Sequence, residues 1–381
     1  MQASLINFSL IRPKKEITQE EILIWIAKTN AKAEALKQNR SLTSKASLEF
    51  QANIQKQLFK LGLGEDKIQK RALQALNYLH LEDTWPVAEG MTFKERSKYF
   101  DIEASKALED FYPIDSLPPS HLIHVSCTGY VAPSAAQKLV SIRNFGSHTS
   151  VTHAYHMGCY ASLPALRIAR GFLKDPTVAK PQVDIVHTEL CSLHINPLLH
   201  EPEQLVVQTL FADGFIKYSV VPKNNTLEKT GSLDLISLHE EIIPDSTLMM
   251  SWILDDFGMK MTLAKDIPSV LANHMTKFLH TLITKGGLDP HKTLKEAFYA
   301  IHPGGPKVIQ KMARLLNLSQ EQIFHSKQVL FHLGNMSSAT LPHIWDKMVK
   351  DPEVPAKSLI ISLAFGPGLT ISGALYTKGE T

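Results

Sequence analysis

The chain has 381 residues, enough for one large hydrophobic core or two medium ones. Hydrophobic residues make up 44% and charged residues 20%, which is ordinary for a globular protein. A formal charge of +3 gives no reason to expect a nucleic acid or an anionic membrane as partner. Three cysteines cannot build a disulfide framework, so a reducing cytoplasm is the expected setting.

Neither end of the sequence predicts a membrane or export segment. Residues 1–11 lack a basic leader and a small-residue cleavage site, so no signal peptide is expected. The longest apolar tract, residues 358–376, is interrupted by Gly366, Pro367 and Gly368. It therefore predicts buried strands joined by a turn.

The first part of the chain predicts a helical start followed by alternating strands and helices. A strand over residues 7–11 precedes a capping box at residues 18–21, which should open a helix ending near residue 36. Two or three further helices are expected between residues 44 and 81, with Gly62 and Gly64 as stops. The remaining expected elements are a helix over 95–111, strands over 121–126, 149–156, 183–188 and 215–221, and helices over 132–142 and 204–210.

A polar stretch, residues 222–233, is the best internal boundary and divides residues 1–222 from 223–381. The alternation resumes beyond it. Strands are expected over 246–251 and 359–365, and helices over 264–283, 306–316, 320–333 and 338–349. This alternation indicates an α/β layered fold.

Cys159 is the first candidate catalytic residue. It follows Gly158 at a predicted strand-to-helix turn, and a thiol becomes a good nucleophile when a helix N-terminus or a nearby imidazolium lowers its pKa. Taken alone, a free cysteine is more often a small buried hydrophobic residue. Pro164 requires that the helix begin near residue 163 or have a kinked first turn.

Two later segments carry polar groups suited to the same chemistry. His302 follows an apolar run and precedes Pro-Gly-Gly-Pro, a stiff turn that can aim an imidazole into a pocket or leave it in solvent. Asn335 is either a helix cap or a neutral donor of the kind that an oxyanion hole needs. His148, His153 and His156 fit no zinc pattern well, so no metal site is expected. The sequence has no nucleotide-binding or serine-hydrolase motif.

Five motifs in a fixed order resemble those of the type III polyketide synthases, the chalcone-synthase-like family of thiolase-fold condensing enzymes. They lie at residues 158–161, 210–214, 302–306, 334–339 and 365–370. The resemblance covers most of the chain from about residue 68. It implies a thiolase-like α/β fold of two similar halves in α-β-α-β-α layers. The first half (1–222) would carry Cys159 and the gatekeeper Phe211. The second half (223–381) would carry His302 and Asn335.

The resemblance also implies roles. Cys159 would accept an acyl group and His302 would keep it as thiolate before loading, while His302 and Asn335 would stabilise the enolate of an extender thioester. No cofactor is implied, and the substrates would be acyl and malonyl thioesters of coenzyme A or of an acyl-carrier protein. A homodimer is implied, with Ala132 where a methionine enters the partner's pocket. The implied substrate-contacting residues are Cys127, Thr128, Cys191, His194, Phe211, Trp252, Met261, Ser337, Gly366 and Pro367.

Several of these residues depart from the plant-like pattern. Trp252 stands where a glycine lines the elongation cavity, Cys191 and His194 replace small hydroxyl residues, and Met261 replaces an aromatic one. The basic grip for coenzyme A is thin, with Lys56 and Lys60 only nearby, which makes a carrier protein credible.

The expected function is a decarboxylative condensation with few extension steps, giving an α-pyrone, a β-diketone or a small aromatic ring. The alternatives are an iterative alkylresorcinol- or phloroglucinol-type synthase, a cysteine-dependent acyl hydrolase, and an idle scaffold of the same fold.

Overall fold

The computed structural model describes residues 2–77, 88–224 and 231–380. Within these ranges the chain forms thirteen strands and eleven α-helices. The strands are β1 (Ala3–Ile11), β2 (Glu16–Thr18), β3 (Lys70–Ala72), β4 (His121–Ser126), β5 (Ser150–Tyr155), β6 (Val183–Leu190), β7 (Asp213–Pro222), β8 (Leu233–Ile242), β9 (Met250–Asp255), β10 (Gly258–Leu263), β11 (Phe298–Ile301), β12 (Leu359–Gly366) and β13 (Thr370–Lys378). The helices are α1 (Gln19–Lys37), α2 (Lys45–Leu61), α3 (Phe93–Phe111), α4 (Ala135–Ile142), α5 (Ser162–Phe172), α6 (Pro202–Leu210), α7 (Ile267–Lys285), α8 (Pro290–Glu296), α9 (Pro306–Leu316), α10 (Phe324–Leu333) and α11 (Thr340–Lys350).

Nine strands of the described chain form one mixed sheet in the order β11-β12-β13-β8-β1-β7-β6-β4-β5. The sheet has two arms with the same pairing pattern. In the first arm β4 pairs parallel with β6, and β6, β7 and β1 follow antiparallel. In the second arm β11 pairs parallel with β12, and β12, β13 and β8 follow antiparallel. Two topologically similar halves therefore exist, although their sequences show no clear repeat.

The arms meet where β1 pairs with β8 over a short antiparallel register from Ala3 to Leu5. Helix α5 contacts β4 and β6 of the first arm and β13 of the second, and α11 contacts β11 and β7. These two helices therefore form a middle layer between the arms. Helices α3 and α4 cover the outside of the first arm, and α7 covers the outside of the second. Each arm thus buries both of its faces, which explains why β6 is buried at every position.

Local sequence signals set many of the element boundaries. The predicted capping box is present, since the Thr18 side chain accepts from the Glu21 N–H and the Glu21 side chain accepts from the Thr18 N–H. Helix α4 begins at Ala135 rather than at residue 132, because Ser134 is its N-cap and Pro133 precedes it after a cis peptide bond. Helix α5 begins at Ser162, which places Pro164 in the first turn, where its missing N–H costs no helical hydrogen bond.

Two predictions of secondary structure were wrong. The stretch from 44 to 77 holds a single α-helix, α2, and then β3, because Lys70–Ala72 pairs with Glu16–Thr18; residues 78–81 of that prediction lie outside the described residues. The strand predicted over 246–251 lies at Met250–Asp255 instead. Its early part is a turn in which the Ser246 hydroxyl donates to the Ile243 carbonyl at 2.6 Å.

The apolar tract near the C-terminus forms β12 and β13, antiparallel neighbours joined through Gly366–Gly368. Among the residues that the structure describes, no helix combines the length and the apolar character needed to cross a bilayer. The predicted boundary after Pro222 falls at the end of β7, beside residues 225–230, which are outside the described ranges.

Candidate active site

Cys159 lies in a tight turn (residues 157–161, here the Cys159 turn) between β5 and α5. Gly158 has φ +79°, a conformation that favours glycine, and a Cβ there would lie 2.6 Å from Pro367 Cδ. Gly366 lies equally close to the turn, since an added Cβ would lie 2.1 Å from Tyr160 Cδ1. The Gly-Pro-Gly segment between β12 and β13 therefore packs directly on the Cys159 turn and fixes its position.

The Cys159 thiol is 7% exposed and lies 3.9 Å from the Ser337 hydroxyl. Burial raises the pKa of Cys159 to about 12, while the side chains of Ser337 and Asn335 act in the opposite direction and the Glu189 charge adds to the increase. Burial therefore favours the neutral thiol. The thiolate that the resemblance implies before loading stays a prediction.

Asn335 lies in the second half at a position that corresponds to Cys159 in the first. The segment from 334 to 339, here the Asn335 turn, precedes α11 as the Cys159 turn precedes α5, and the two turns contact each other. The Asn335 Oδ1 accepts from the Ser337 N–H at 2.9 Å and from the Thr340 hydroxyl at 3.3 Å. Its Nδ2 is buried and has no hydrogen-bond partner among the described residues, so this amide is free to donate.

His302 follows β11, and its backbone N–H donates to the Leu363 carbonyl of β12 at 2.7 Å. The side chain is 1% exposed, and burial lowers its pKa to about 3, so the imidazole is neutral. Neither ring nitrogen has a hydrogen-bond partner within the described ranges, Cys159 included. The His302 imidazole and the Asn335 amide are thus both buried groups without partners, and each is suited to binding an oxygen atom.

The loop after β4, which contains Cys127 and Thr128, contacts the Cys159 turn. The Cys127 Sγ accepts from the Gly158 N–H at 3.1 Å. A hairpin formed by β9 and β10 binds the same loop, because the Trp252 indole Nε1 donates to the Cys127 carbonyl at 2.6 Å. His194 adds a parallel link, since its Nε2 donates to the Thr128 carbonyl at 2.9 Å while its Nδ1 accepts from the Met259 N–H at 3.1 Å.

A cavity extends from Cys159 between the hairpin, α6 and the loop after β6. Nine of the ten substrate-contacting residues expected from the sequence lie in its wall, and the tenth, Gly366, lies behind Pro367 against Tyr160. The nine are Cys127, Thr128, Cys191, His194, Phe211, Trp252, Met261, Ser337 and Pro367. The structure thus gathers side chains from distant parts of the sequence around one thiol.

Phe211 is tied to the catalytic segment through its backbone. It forms a bridge with Asn335, and the neighbouring Ala212 N–H donates to the Asn335 carbonyl at 2.7 Å. The buried Arg71 guanidinium donates to the Phe211 carbonyl and, at 3.0 Å, to the Gln208 carbonyl. A displacement of the backbone at Phe211 would therefore also move Asn335.

Sequence reasoning missed several wall or support residues, among them Met250, Met259 and Glu189. Met250 and Met259 line the cavity from the hairpin, whose position the sequence misassigned. Glu189 lies fully buried in β6 behind the cavity wall, and burial raises its pKa to about 7. The predicted strand ended at residue 188, and β6 also carries Asp184, His187 and Thr188, so no local signal singled out Glu189.

No group of three or more potential metal ligands occurs in the described part of the chain. Of the histidines considered above, His153 bonds to the Ser134 hydroxyl through Nε2 at 2.8 Å, and His156 stacks at a tilt on Tyr130.

Comparison with known proteins gives consistent results. Residues 234–378 match the family "Chalcone and stilbene synthases, C-terminal domain". The chain is 29% identical over 256 residues to "Probable polyketide synthase 1" of Dictyostelium discoideum, an alignment that covers 67% of this chain but 8% of that protein. It is 25% identical over 276 residues to "Type III polyketide synthase C" of Arabidopsis thaliana, covering 72% of this chain and 69% of that protein.

Among solved structures, the C-terminal type III polyketide synthase domain of Steely1, a type I/III hybrid from Dictyostelium, superposes with a TM-score of 0.80 at 23% identity, covering 100% of both chains. At this identity the superposition shows the fold alone, and it confirms the predicted thiolase-like architecture of two α/β halves.

Proposed function

We propose that the chain is a type III polyketide synthase in which Cys159 carries the acyl intermediate of a decarboxylative condensation. The supporting observation is that the Asn335 Nδ2 and both ring nitrogens of His302 are buried without partners among the described residues. Because unpaired buried donors are costly, their persistence supports a role in binding a substrate oxygen.

Loading is the first step of the proposed reaction. The Cys159 Sγ attacks the carbonyl carbon of a starter thioester, and the carbon–sulfur bond to the carrier breaks. His302 is neutral, so it can take the proton of the thiol and return it to the departing carrier thiol. The buried Cys159 thiol must ionise in this step, so loading should accelerate as the pH rises.

Condensation follows on an extender of the malonyl type. The bond between its α-carbon and its carboxylate breaks, carbon dioxide leaves, and the electron pair forms an enolate whose oxygen accepts hydrogen bonds from His302 and the Asn335 amide. The α-carbon then attacks the acyl carbon on Cys159, and the carbon–sulfur bond to Cys159 breaks. The product is a β-ketoacyl thioester that is two carbons longer, and Cys159 leaves as thiolate.

The cavity wall supports a product of few extensions. Trp252 crosses from the hairpin to the Cys127 carbonyl and its ring lies edge-on to His194, with 5.3 Å between the ring centroids. Two aromatic side chains thus occupy the side of the cavity next to Thr128, which limits the length of a growing chain. We propose an α-pyrone, a β-diketone or a small aromatic ring as product, formed on acyl and malonyl thioesters of coenzyme A or of an acyl-carrier protein, with a homodimer as the working assembly and no cofactor.

Mass spectrometry of the intact protein and of its products tests this function. The protein is mixed with an acyl thioester and malonyl thioester, each presented as its coenzyme A and its carrier-protein form. A Cys159 adduct that resolves into a carbon-extended product supports condensation. Free acid without loss of carbon dioxide from malonate would show a hydrolase, and the absence of any adduct would refute both.

A further inference from the structure

The C-terminal end of α6 is held by groups from distant parts of the chain. The last carbonyl groups of a helix lack partners within the helix, and a cation near them also interacts favourably with the helix dipole. Helix α6 has no basic residue in its own last turn. The groups that bind its free carbonyls therefore show what this helix end is attached to.

Arg71, in β3, supplies the cation. It is 1% exposed, and its Nη1 donates to the Gln208 carbonyl at 3.0 Å and to the Phe211 carbonyl. Its Nε donates to the Gln19 Oε1 at 2.8 Å. Hydrogen bonds from a charged donor are stronger than neutral ones, so this guanidinium holds the helix end firmly.

Two further groups bind the carbonyls between those that Arg71 holds. The Gln19 Nε2 donates to the Thr209 carbonyl at 2.8 Å, and the Asn335 N–H donates to the Leu210 carbonyl at 3.1 Å. Four consecutive carbonyls at this helix end thus have partners. The backbone of Asn335 is attached to a carbonyl whose neighbours on both sides are fixed by buried side chains.

The aliphatic part of Arg71 also packs against the Asn335 turn. Gly334 has φ +74°, and a Cβ there would lie 3.0 Å from both Cγ and Cδ of Arg71. On the other side of the turn the Ala212 N–H donates to the Asn335 carbonyl at 2.7 Å. Asn335 is therefore bound to the end of α6 through both its N–H and its carbonyl, with Arg71 in contact with the residue before it.

We propose that Arg71 is a positioning residue for condensation: by holding the end of α6 it sets where Phe211 lies in the cavity wall and where the Asn335 amide points. The inference rests on Asn335 being the enolate donor of the proposed function. A guanidinium presents its N–H groups in one rigid plane, whereas a lysine ammonium is a point charge on a flexible stem. Arg71→Lys should therefore keep the charge but lose the simultaneous hold on α6 and Gln19.

Arg96 offers a matched control at another part of the cavity wall. It is also 1% exposed, and its Nη1 donates to the Leu193 carbonyl and, at 3.1 Å, to the Ile195 carbonyl. It thus resembles Arg71 in burial and in binding two backbone carbonyls. Its hydrogen bonds hold the loop after β6 rather than the end of α6, so Arg96→Lys separates the proposed effect from a general loss of a buried arginine.

Hydrogen–deuterium exchange followed by mass spectrometry tests the proposal without turnover. In Arg71→Lys the peptide over residues 334–339 should exchange about tenfold faster than in the unmodified protein, because the acceptor of the Asn335 N–H is no longer fixed. In Arg96→Lys this peptide should exchange at its original rate, while the peptide over residues 191–196 should exchange faster. Equal exchange of the 334–339 peptide in the two variants would overturn the proposal.

Activity gives the second measurement. Arg71→Lys should decarboxylate a malonyl thioester with a kcat lower by about ten- to hundredfold and a KM within about twofold, since a displaced donor acts on the enolate more than on binding. Acyl loading on Cys159 should fall by about threefold at most, and Arg96→Lys should decarboxylate within about twofold of the original rate. An unchanged kcat in a folded Arg71→Lys, checked by thermal melting, would also overturn the proposal.

Gln19→Leu covers the case in which the lysine variant does not fold. It removes the acceptor of the Arg71 Nε and the partner of the Thr209 carbonyl, so the same pattern should appear at about threefold in exchange and in kcat. Original values of both in this variant would count against the proposal. Failure of the proposed function appears separately: the unmodified protein would not decarboxylate, yet the difference in exchange between the two arginine variants would remain.

Discussion

The two halves of the molecule share a strand order but supply opposite parts of the chemistry. The first places a sulfur at the start of α5, and the second places an amide donor at the start of α11. Each turn leads into a helix of the middle layer and the two turns contact each other, so the proposed nucleophile Cys159 and the proposed donor Asn335 meet at the interface of the halves. Duplicated topology thus gives two equivalent positions, and the side chain at each position decides its role.

Removing the Cys159 sulfur from the first half should have the largest effect on activity. In Cys159→Ala no acyl adduct can form, so condensation should fall to background while some malonyl decarboxylation persists, because His302 and Asn335 are untouched. Adduct mass and release of carbon dioxide measure the two activities separately. Full condensation by this variant would remove Cys159 from the mechanism.

A substitution of Asn335 in the second half should have the opposite effect: decarboxylation should be lost while acyl loading is kept. Asn335→Asp keeps an oxygen to cap the Ser337 N–H but replaces the donor with a negative charge. Decarboxylation should fall about 100- to 1,000-fold, the loss typical of one oxyanion donor, while acyl loading on Cys159 persists. Equal losses of loading and decarboxylation would contradict the division between the halves.

Trp252 crosses from the second half to the first, so its substitution tests the contact between them. Trp252→Gly should enlarge the cavity and shift the products toward longer chains. Trp252→Phe keeps most of the volume and removes only the Nε1 donor to Cys127, so it should retain product length while loading slows several-fold. Identical product profiles for both variants and the unmodified protein, compared by liquid chromatography and mass spectrometry, would show that this side chain does not bound the chamber.

Acid should destabilise both halves. This effect is the smallest of those expected, and it does not distinguish the two halves. Burial lowers the pKa of His124 and His194 in the first half to about 3, that of His302 in the second to about 3, and that of His343 to about 4. The unfolded chain therefore binds more protons than the folded one below the ordinary histidine pKa, and stability is lost as the pH falls from 7 to 5.

Each of these imidazoles lowers the free energy of unfolding by on the order of 2 kcal/mol at pH 5. Glu189 and Asp213 offset part of this loss, because their raised pKa values favour the folded state as the pH falls. A decrease in Tm of about 5 °C is expected by differential scanning calorimetry, and a Tm that rises between pH 7 and 5 would contradict the neutral histidines.

The sequence by itself determined the α/β class, the resemblance to a family and most element positions, because capping boxes, apolar periodicity and five ordered motifs are local features. Thr18 and Ser134 show this, since each caps the helix that its own neighbours form. The site residues could be named from the same motifs, but their ionisation could not. For Cys159 the resemblance implies a thiolate before loading, which stays a prediction; burial raises the pKa of the thiol to about 12 and lowers the pKa of His302 to about 3.

The tertiary structure added those groups around Cys159 that no sequence motif marks. The hairpin that carries Trp252, Met259 and Met261 was misplaced from sequence, since a two-stranded ribbon is stabilised by what it covers. Glu189 bonds to Cys127 and Ser338, which lie 62 and 149 residues away along the chain. Contacts over such separations depend on how the two arms of the sheet fold around the middle helices, and no local pattern encodes that arrangement.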